Sequence, residues 1–201
     1  MKYDMNGRVV IVTGGTSGIG KEISHQLLRS CADVIIVYAH NDEVANETRR
    51  EFKKYGQHVI IHKCDVSNDN DVYQLFEIIS DKYKKVDGLV NCAAYDKMAS
   101  IEQLSADEYR HELNVNLVGP FNCIKAAIPL LKQSTCGRII NIASRLGSRP
   151  TNDFLAYCTS KAGLIMLTQC AALELSKYNI RVNTVSPSLT LTPLGMSCYS
   201  Q

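Results

Sequence analysis

The sequence has no long hydrophobic run and no excess of charge of one sign. Its first apolar run, residues 9–12, is too short for the core of a signal peptide or for a membrane span. The formal net charge is +2 and no run of lysine and arginine exceeds two residues, so the charge pattern favours neither a nucleic-acid nor a membrane partner. We therefore expect a globular cytoplasmic protein with one domain over residues 1–201, long enough to bury a core.

Cysteine is plentiful, but closely spaced cysteine pairs are absent. The eight cysteines lie at least twelve residues apart, which excludes a C-x-x-C metal or redox site. Several fall in apolar stretches, where a thiol packs as a small hydrophobic group. His58 and His62 flank a short apolar run and would lie far apart on a strand. We expect reduced thiols and no metal site.

Short apolar runs alternate with stretches of helical periodicity along the chain. Runs rich in branched residues predict strands at 9–12, 34–37, 59–61, 86–90, 138–142 and 181–185. Helices are predicted directly after residue 20 and at 44–55, 72–83, 105–131 (bent at Pro120) and 156–177. Six strands alternating with helices predict an α/β fold with a doubly wound parallel sheet, the Rossmann fold.

The stretch TGGTSGIGKE, residues 13–22, matches two different phosphate-binding loops. Residues 15–21 fit the first seven positions of the G-x-x-x-x-G-K-[ST] loop of nucleoside triphosphatases. The eighth position is Glu22, which lacks the hydroxyl that such a loop uses to ligate magnesium. Three glycines also fit the G-x-x-x-G-x-G turn of dinucleotide-binding proteins: Gly14, Gly18 and Gly20. The missing hydroxyl favours the dinucleotide.

Several polar or conformationally special residues follow the predicted strands directly. They are the glycine turn, Asp65, Asn91, Ser144 and Pro187. Doubly wound sheets bind their ligands past the carboxyl ends of the strands. The coincidence predicts one ligand site at this edge of the sheet.

Tyr157 and Lys161 are one turn apart on the same face of a predicted helix. An unperturbed tyrosine has a pKa of about 10, and a neighbouring lysine cation lowers that pKa by stabilising the phenolate. Such a tyrosine can give a proton to a carbonyl oxygen or take one from an alcohol. Taken by itself, the pattern also fits a packed ring beside a solvated lysine.

Two further polar residues have both structural and functional interpretations. The hydroxyl of Ser144, after the fifth strand, could hydrogen-bond a reacting carbonyl oxygen or belong to a turn. Asn116 falls inside a predicted helix, where asparagine is usually exposed or bonded to local backbone. A role in holding a kink or a water molecule is the alternative.

Seven motifs occur in a fixed order: TGGTSGIG, CDVS, NCAA, NVNL, INIAS, YCTSK and RVNTVSP. In this order and spacing, the chain resembles the short-chain dehydrogenase/reductases, in particular the subgroup with 3-oxoacyl-carrier-protein reductases and glucose dehydrogenases. The resemblance runs from about residue 5 to about residue 195.

The resemblance implies a role for each of four residues. Tyr157 would be the acid/base, and Lys161 would hold the nicotinamide ribose and lower the pKa of the tyrosine. Ser144 would orient the substrate carbonyl, and Asn116 would hold a water molecule in a proton relay.

The resemblance also implies a dinucleotide site, with the pyrophosphate at a helix N-terminus. Its residues would be Thr13, Gly14, Ser17, Gly18, Ile19, Gly20, Asp65, Val66, Asn91, Ala93, Pro187 and Thr192, together with Tyr157 and Lys161. Asp65 would contact the adenine, Asn91 would lie against the adenosine half, and Pro187 and Thr192 would lie near the nicotinamide.

The chain departs from the family pattern in three places. Ala94 stands where the family's N-N-A-G motif has glycine, and Ser188 replaces the usual glycine after Pro187. Family members continue past the position of Gln201 through a substrate-covering segment, a helix and a seventh strand. We therefore expect residues 188–201 to hold only the start of that segment, and a homo-oligomer only for a full-length member.

Cofactor preference depends on charge at the end of the second strand. Enzymes that prefer NAD place an acidic residue there, hydrogen-bonded to the ribose. Here the position is Tyr38, followed closely by His40, so no carboxylate at this position would repel a 2′-phosphate and His40 could help to bind it. No arginine is placed for the phosphate and Asp42 is close by. The pattern favours NADP(H), with NAD(H) as the alternative.

The expected function is an NAD(P)(H)-dependent oxidoreductase that interconverts a ketone and a secondary alcohol on a small-molecule substrate. The resemblance points first to a 3-oxoacyl thioester, while sugars, steroids and polyketides stay open. The alternative is a nucleotide-binding or assembly protein without catalysis, derived from such an enzyme by C-terminal truncation.

Overall fold

The computed structural model describes residues 4–197, which include a sheet of six parallel strands. The strands are β1 (Val9–Thr13), β2 (Asp33–Tyr38), β3 (Val59–Lys63), β4 (Gly88–Asn91), β5 (Arg138–Ile142) and β6 (Arg181–Val185). Their order across the sheet is β3-β2-β1-β4-β5-β6, which confirms the predicted doubly wound parallel sheet. The order reverses between β1 and β4, where sheets of this kind bind their ligands. The part of the C-terminal expectation that concerns residues 198–201 lies outside the described residues.

Helices connect the strands and cover both faces of the sheet. They are α1 (Gly18–Arg29), α2 (Asp42–Phe52), α3 (Asp69–Lys82), α4 (Ala106–Leu113), α5 (Gly119–Leu131), α6 (Leu155–Leu175) and α7 (Pro193–Ser197). Within residues 4–197, no helix is long and apolar enough to cross a membrane.

The core consists of two apolar clusters, one on each face of the sheet. Successive residues of a strand point to opposite faces, so Ile11 and Ile35 pack into one cluster while Val12 and Ile36 pack into the other. Phe52 at the end of α2 is fully buried in the second cluster. Burial on both faces explains why the strands read as continuous branched runs instead of alternating polar and apolar residues.

The helix predicted over 105–131 is divided into α4 and α5 by a π turn, Asn114–Val118. Its start is as predicted, because Ser105 and Glu108 form a capping box. Pro120 has no amide hydrogen for the carbonyl of Asn116, and its ring crowds that carbonyl. The irregularity therefore lies one turn before the proline, and it carries Asn116 into the interior, where the residue is fully buried.

The predicted ends of two other helices were too late in the chain. The helix predicted over 44–55 ends at Phe52 and passes into a 3-10 turn, Lys53–His58, in which Gly56 has a φ of 59°. The helix predicted over 156–177 ends at Leu175 and is likewise followed by a 3-10 turn. Residues near the end of a helix keep its apolar spacing after the hydrogen-bond pattern has tightened, which is why the sequence pattern runs on.

Asp87 fixes the amino edge of the sheet. This nearly buried carboxylate accepts hydrogen bonds from the hydroxyl of Ser134 (2.6 Å), the backbone amide of Val9 (3.0 Å), and the side chains of Arg8 and Lys85 (3.1 Å each). Burial would raise the pKa of the Asp87 carboxyl, but these hydrogen bonds outweigh burial and hold the pKa at about 2. The ionised group thus ties β1, β4 and the turn before β5 together.

Candidate active site

A cleft of about 770 Å³ opens over the carboxyl ends of the strands. Its volume is in the range of small-molecule and cofactor sites. Most of the residues predicted for the site line it, namely Gly14, Ser17, Gly18, Ile19, Gly20, Tyr38, His40, Asp65, Val66, Ala93, Ser144, Tyr157, Lys161, Pro187 and Thr192. The fold therefore brings the predicted cofactor loop and the predicted reacting residues to one surface.

The glycine turn between β1 and α1 is too tight for side chains. Gly14 and Gly18 have φ angles of 64° and 50°, which favour glycine. A Cβ atom on Gly20 would lie 2.3 Å from the carbonyl oxygen of Gly14. Ser17 caps α1 without a side-chain hydrogen bond, so the first-turn amides keep their capacity to bind a ligand. This cradle at a helix N-terminus fits the pyrophosphate of a dinucleotide.

Thr13 lies behind the wall of the cleft, where it joins the glycine turn to the loop after β4. Its hydroxyl oxygen accepts hydrogen bonds from the backbone amides of Cys92 (3.0 Å) and Ala93 (3.1 Å). The side chain is 2% exposed and does not reach the cleft surface. Thr13 therefore contributes by holding Ala93 in place.

Asn91 also lies behind the wall, at the end of β4. Its side-chain amide donates to Asn141 Oδ1 on β5 (2.8 Å), and the amide of Asn141 donates to the hydroxyl of Thr168 on α6 (2.8 Å). All three residues are buried. The chain of hydrogen bonds fixes α6, which carries Tyr157 and Lys161, against the carboxyl end of the sheet.

Asn116 completes the set of predicted residues that lie behind the cleft. Its Oδ1 accepts from the backbone amide of Tyr95 (2.8 Å), and its Nδ2 donates to the backbone carbonyl of Tyr95 (2.7 Å) and to Ser160 Oγ (3.1 Å). Every hydrogen-bonding atom of this side chain is thus engaged. The side chain joins α4–α5, the loop after β4 and α6 at one point.

Lys161 is held between β5 and Tyr157. It is 2% exposed, its Nζ donates to the backbone carbonyl of Ile142 (3.0 Å), and the same nitrogen lies 5.4 Å from the centre of the Tyr157 ring. Burial lowers the pKa of the Lys161 ammonium to about 8, while nearby Cys92, Glu112 and Asp96 act to raise it. The pKa of the Lys161 ammonium therefore lies close to neutral pH.

Ser144 follows β5 by two residues and faces the same cleft. Its hydroxyl oxygen accepts a hydrogen bond from the amide of Leu146 (3.1 Å), which orients the side chain. Because that bond uses a lone pair of the oxygen, the hydroxyl proton stays available for an acceptor in the cleft.

The end of β2 contains a polar network around Tyr38. The hydroxyl of Tyr38 donates to Asp42 Oδ1 (2.9 Å), and Lys63 pairs with Asp42 Oδ2 (2.8 Å). Hydrogen bonds from Lys63 and Tyr38 hold the pKa of Asp42 below its ordinary value. The guanidinium of Arg49 lies 5.5 Å from the Tyr38 ring centre but does not line the cleft, whereas the exposed His40 does.

Sequence reasoning missed an aromatic part of the cleft wall and one buried acid. Tyr95 and His111 line the cleft with ring centroids 4.7 Å apart, and Phe154 lines it beside Tyr157, with centroids 6.5 Å apart. Tyr95 directly follows the N-C-A-A motif, and this position could have identified it as a residue of the cleft. Glu112, buried behind the wall, had no such signal because an acid in a helix is ordinarily exposed.

Comparison with known proteins agrees with the fold. The family model for short chain dehydrogenases matches residues 8–201. The D-beta-hydroxybutyrate dehydrogenase of Rhizobium meliloti is 31% identical over 188 residues, which cover 93% of this chain and 73% of that protein. The 3-oxoacyl-[acyl-carrier-protein] reductase of Synechocystis sp. is 30% identical over 190 residues, which cover 94% of this chain and 77% of that protein.

A solved structure, the RhlG/NADP active-site complex of Pseudomonas aeruginosa, is also similar. It matches with a TM-score of 0.90 and 29% identity, over 100% of this chain and 79% of the other. The family model spans nearly the whole chain, and a relative above 30% identity is covered over more than two thirds of its length. On these grounds the chain belongs to the short-chain dehydrogenase family.

Proposed function

We propose that this chain is an NAD(P)(H)-dependent oxidoreductase that interconverts a ketone and a secondary alcohol. One observation carries the proposal: Ser144, Tyr157 and Lys161 line the same cleft as the glycine turn at the N-terminus of α1. A dinucleotide held at that turn supplies or accepts a hydride at the carbonyl carbon. The protein then has to manage the proton at the carbonyl oxygen.

Tyr157 is the group we assign to that proton. In reduction its phenolic hydroxyl donates to the carbonyl oxygen, and in oxidation the phenolate takes the proton from the alcohol. The hydroxyl of Ser144 donates a hydrogen bond to the same oxygen, since its own oxygen is already oriented by the amide of Leu146. The two hydroxyls would together fix the position of the carbonyl.

Lys161 supports Tyr157 electrostatically. Its ammonium lies 5.4 Å from the tyrosine ring centre and is fixed by the carbonyl of Ile142, so a positive charge there stabilises the phenolate. The same ammonium would hold the ribose next to the nicotinamide. Asn116 would hold the water of the proton relay with its backbone carbonyl, because its side chain is occupied and Pro120 offers that carbonyl no amide hydrogen.

The remaining cofactor contacts follow the cleft from end to end. The turn from Gly14 to Gly20 would hold the pyrophosphate, Asp65 and Val66 would lie against the adenine, and Pro187 and Thr192 would lie near the nicotinamide. Thr13 and Asn91 would act from behind the wall, by holding Ala93 and α6 in place.

NADP(H) is the cofactor form that we propose, with NAD(H) as the alternative. Asp42, the acid nearest to Tyr38, is neutralised by Lys63, so its charge repels a 2′-phosphate less than a free carboxylate would. His40 lines this end of the cleft and is exposed. The structurally similar RhlG is itself described as an NADP complex.

The substrate class that we propose is a 3-oxoacyl compound, a thioester first. Two of the similar proteins are named for substrates oxygenated at C3, one a beta-hydroxybutyrate and the other a 3-oxoacyl-carrier-protein. The aromatic wall of Tyr95, His111 and Phe154 offers apolar contact with polar edges beside Tyr157.

The test is a coupled assay of NADPH oxidation with a series of 3-oxoacyl thioesters, sugars and cyclic ketones. The substitution Tyr157→Phe should lower turnover by about a thousandfold or more, because the proton donor is lost, and leave NADPH affinity within about twofold. Tyr73→Phe, at an exposed tyrosine on α3, is the matched control and should change neither. A wild-type rate in the Tyr157→Phe variant would refute the mechanism, and NADPH binding without turnover of any carbonyl would favour the non-catalytic alternative.

A further inference from the structure

Glu112 is a fully buried acid that the reaction described above does not use. It lies on α4, one turn before Asn116, behind the wall of the cleft. Neither of its carboxyl oxygens accepts a hydrogen bond in good geometry from a described residue. The backbone amide of Lys97 faces the group and favours its ionised form without closing such a bond.

The surroundings of Glu112 strongly favour neither its protonated nor its ionised form near neutral pH. Burial and, less strongly, the nearby Asp96 raise the pKa of Glu112, while the amide of Lys97 and the ammonium of Lys161 lower it, and together they place it at about 7. A buried ionised carboxyl without hydrogen bonds destabilises a fold, so packing alone gives no reason for an acid here.

Lys161 lies close to Glu112 in the fold, because Asn116, one turn after Glu112, donates a hydrogen bond to Ser160, the residue before Lys161 (3.1 Å). Its ammonium is buried and makes one hydrogen bond, to Ile142, so burial favours loss of the proton. Among the charges that act against this loss are Glu112 and Asp96, with the thiol of Cys92 on the wall of the cleft. Interaction between two charges is reciprocal, so the charge state of Lys161 depends on that of Glu112.

We propose that Glu112 is a positioning residue whose carboxylate, from behind the cleft wall, keeps Lys161 protonated beside Tyr157. The effect of the Glu112 charge on the protonation of Lys161 does not depend on the reaction. The consequence of that effect for proton transfer by Tyr157 rests on the proposed function. Glu112 touches neither the cleft nor a reacting atom, and it acts through Lys161.

The direct test is NMR titration of the whole chain, without cofactor, with lysines labelled at Cε. Lys161 should titrate well below the exposed lysines, and Lys161→Gln assigns its signal. In Glu112→Gln its midpoint should fall by about one pH unit, because the opposing carboxylate is gone. Asp107→Asn, an exposed acid on the same helix, is the matched control and should leave the midpoint in place. An unchanged midpoint in Glu112→Gln overturns the proposal.

The reciprocal titration keeps the proposal testable if Glu112→Gln fails to fold. With glutamates labelled at Cδ, the Glu112 signal should titrate near neutral pH in the wild-type chain. In Lys161→Gln its midpoint should rise by about one pH unit, since the cation that favours the carboxylate has been removed. The same midpoint in both chains would overturn the coupling.

Kinetics separate this proposal from the proposed function. In Glu112→Gln the alkaline limb of ketone reduction should move to lower pH with KM for the ketone unchanged, as expected if only the protonation of Lys161 is altered. A pH profile identical to that of the wild type would overturn the role in proton transfer. A shifted Lys161 midpoint in a chain that reduces no carbonyl would support the coupling and refute the function.

Discussion

Two buried carboxyl groups at opposite edges of the sheet have pKa values that are shifted in opposite directions. Asp87 at the amino edge is 4% exposed and accepts hydrogen bonds from Ser134, Val9, Arg8 and Lys85, and its pKa is held at about 2. Glu112 near the carboxyl edge is fully buried without a hydrogen bond of good geometry from the described residues, and its pKa is raised to about 7. Burial disfavours ionisation in both, so hydrogen bonds decide the difference.

The difference separates a group that stabilises the fold from one that is poised for chemistry. The partners of Asp87 come from the start of β1, from the segment before β4 and from the turn before β5, so ionisation of Asp87 strengthens the fold. The neighbours of Glu112 are the groups that surround the proposed reacting residues, and its ionisation costs stability. Perturbed acids of the second kind are concentrated at functional sites.

The largest effect that tests this contrast is the pH dependence contributed by Glu112. Its folded pKa of about 7 exceeds the ordinary 4.5, so the folded state holds the proton more tightly and stability falls as the pH rises through this window. Wild type should lose about 3 kcal/mol of unfolding free energy to this group between pH 4.5 and 8. Urea unfolding at a series of pH values should show that loss in wild type and lack it in Glu112→Gln. If the unfolding free energies of the two chains change with pH in parallel, the pKa of Glu112 is not raised in the folded state.

The next effect is the loss of the Asp87 network. Asp87→Asn should lower the unfolding free energy at pH 7 by about 2 kcal/mol, because Arg8, Lys85 and Ser134 lose a charged acceptor. The folded pKa of about 2 lies below the ordinary 3.8, so this stability is complete above pH 4 and lost as the pH falls towards 2. The difference between the two chains should therefore vanish in acid. If the difference in unfolding free energy persists at pH 2, it comes from altered packing and not from loss of the Asp87 charge.

A smaller effect isolates one hydrogen bond of that network. Ser134→Ala removes the 2.6 Å bond to Asp87 and should cost about 1 kcal/mol at pH 7 while moving the acid midpoint of unfolding upward. Asp107→Asn, an exposed acid, is the control and should change stability by less than about 0.5 kcal/mol. Equal acid midpoints for wild type and Ser134→Ala would show that the serine does not hold the charge of Asp87.

The sequence was sufficient for the strands and for most of the cleft. Continuous branched runs such as residues 9–12 are buried on both faces, so each run allowed one interpretation. Ser144, Tyr157 and Lys161, which the resemblance placed together, line one cleft because each follows the end of a strand or the start of a helix.

Other features depend on contacts between distant segments and could not be predicted. The partners of Asp87 include Val9 and Ser134, which are far from it in the chain, and no local pattern joins them. Glu112 reads as a solvent-facing acid in a charged helix, and only the packing of α4 on α6 buries it. The sequence predicted a bend at Pro120, whereas the irregularity is a π turn over Asn114–Val118. It lies earlier in the chain because a proline clashes with the carbonyl four residues before it.

The measurement that tests the central claim most directly is a fluorescence titration of the purified chain with NADPH and, in parallel, with NADH. The account predicts saturable binding of NADPH at the glycine turn, tighter than binding of NADH because no free carboxylate at the end of β2 repels the 2′-phosphate. Tighter binding of NADH would overturn the cofactor preference alone. If a chain that circular dichroism shows to be well folded binds neither nucleotide, the proposed oxidoreductase function is wrong.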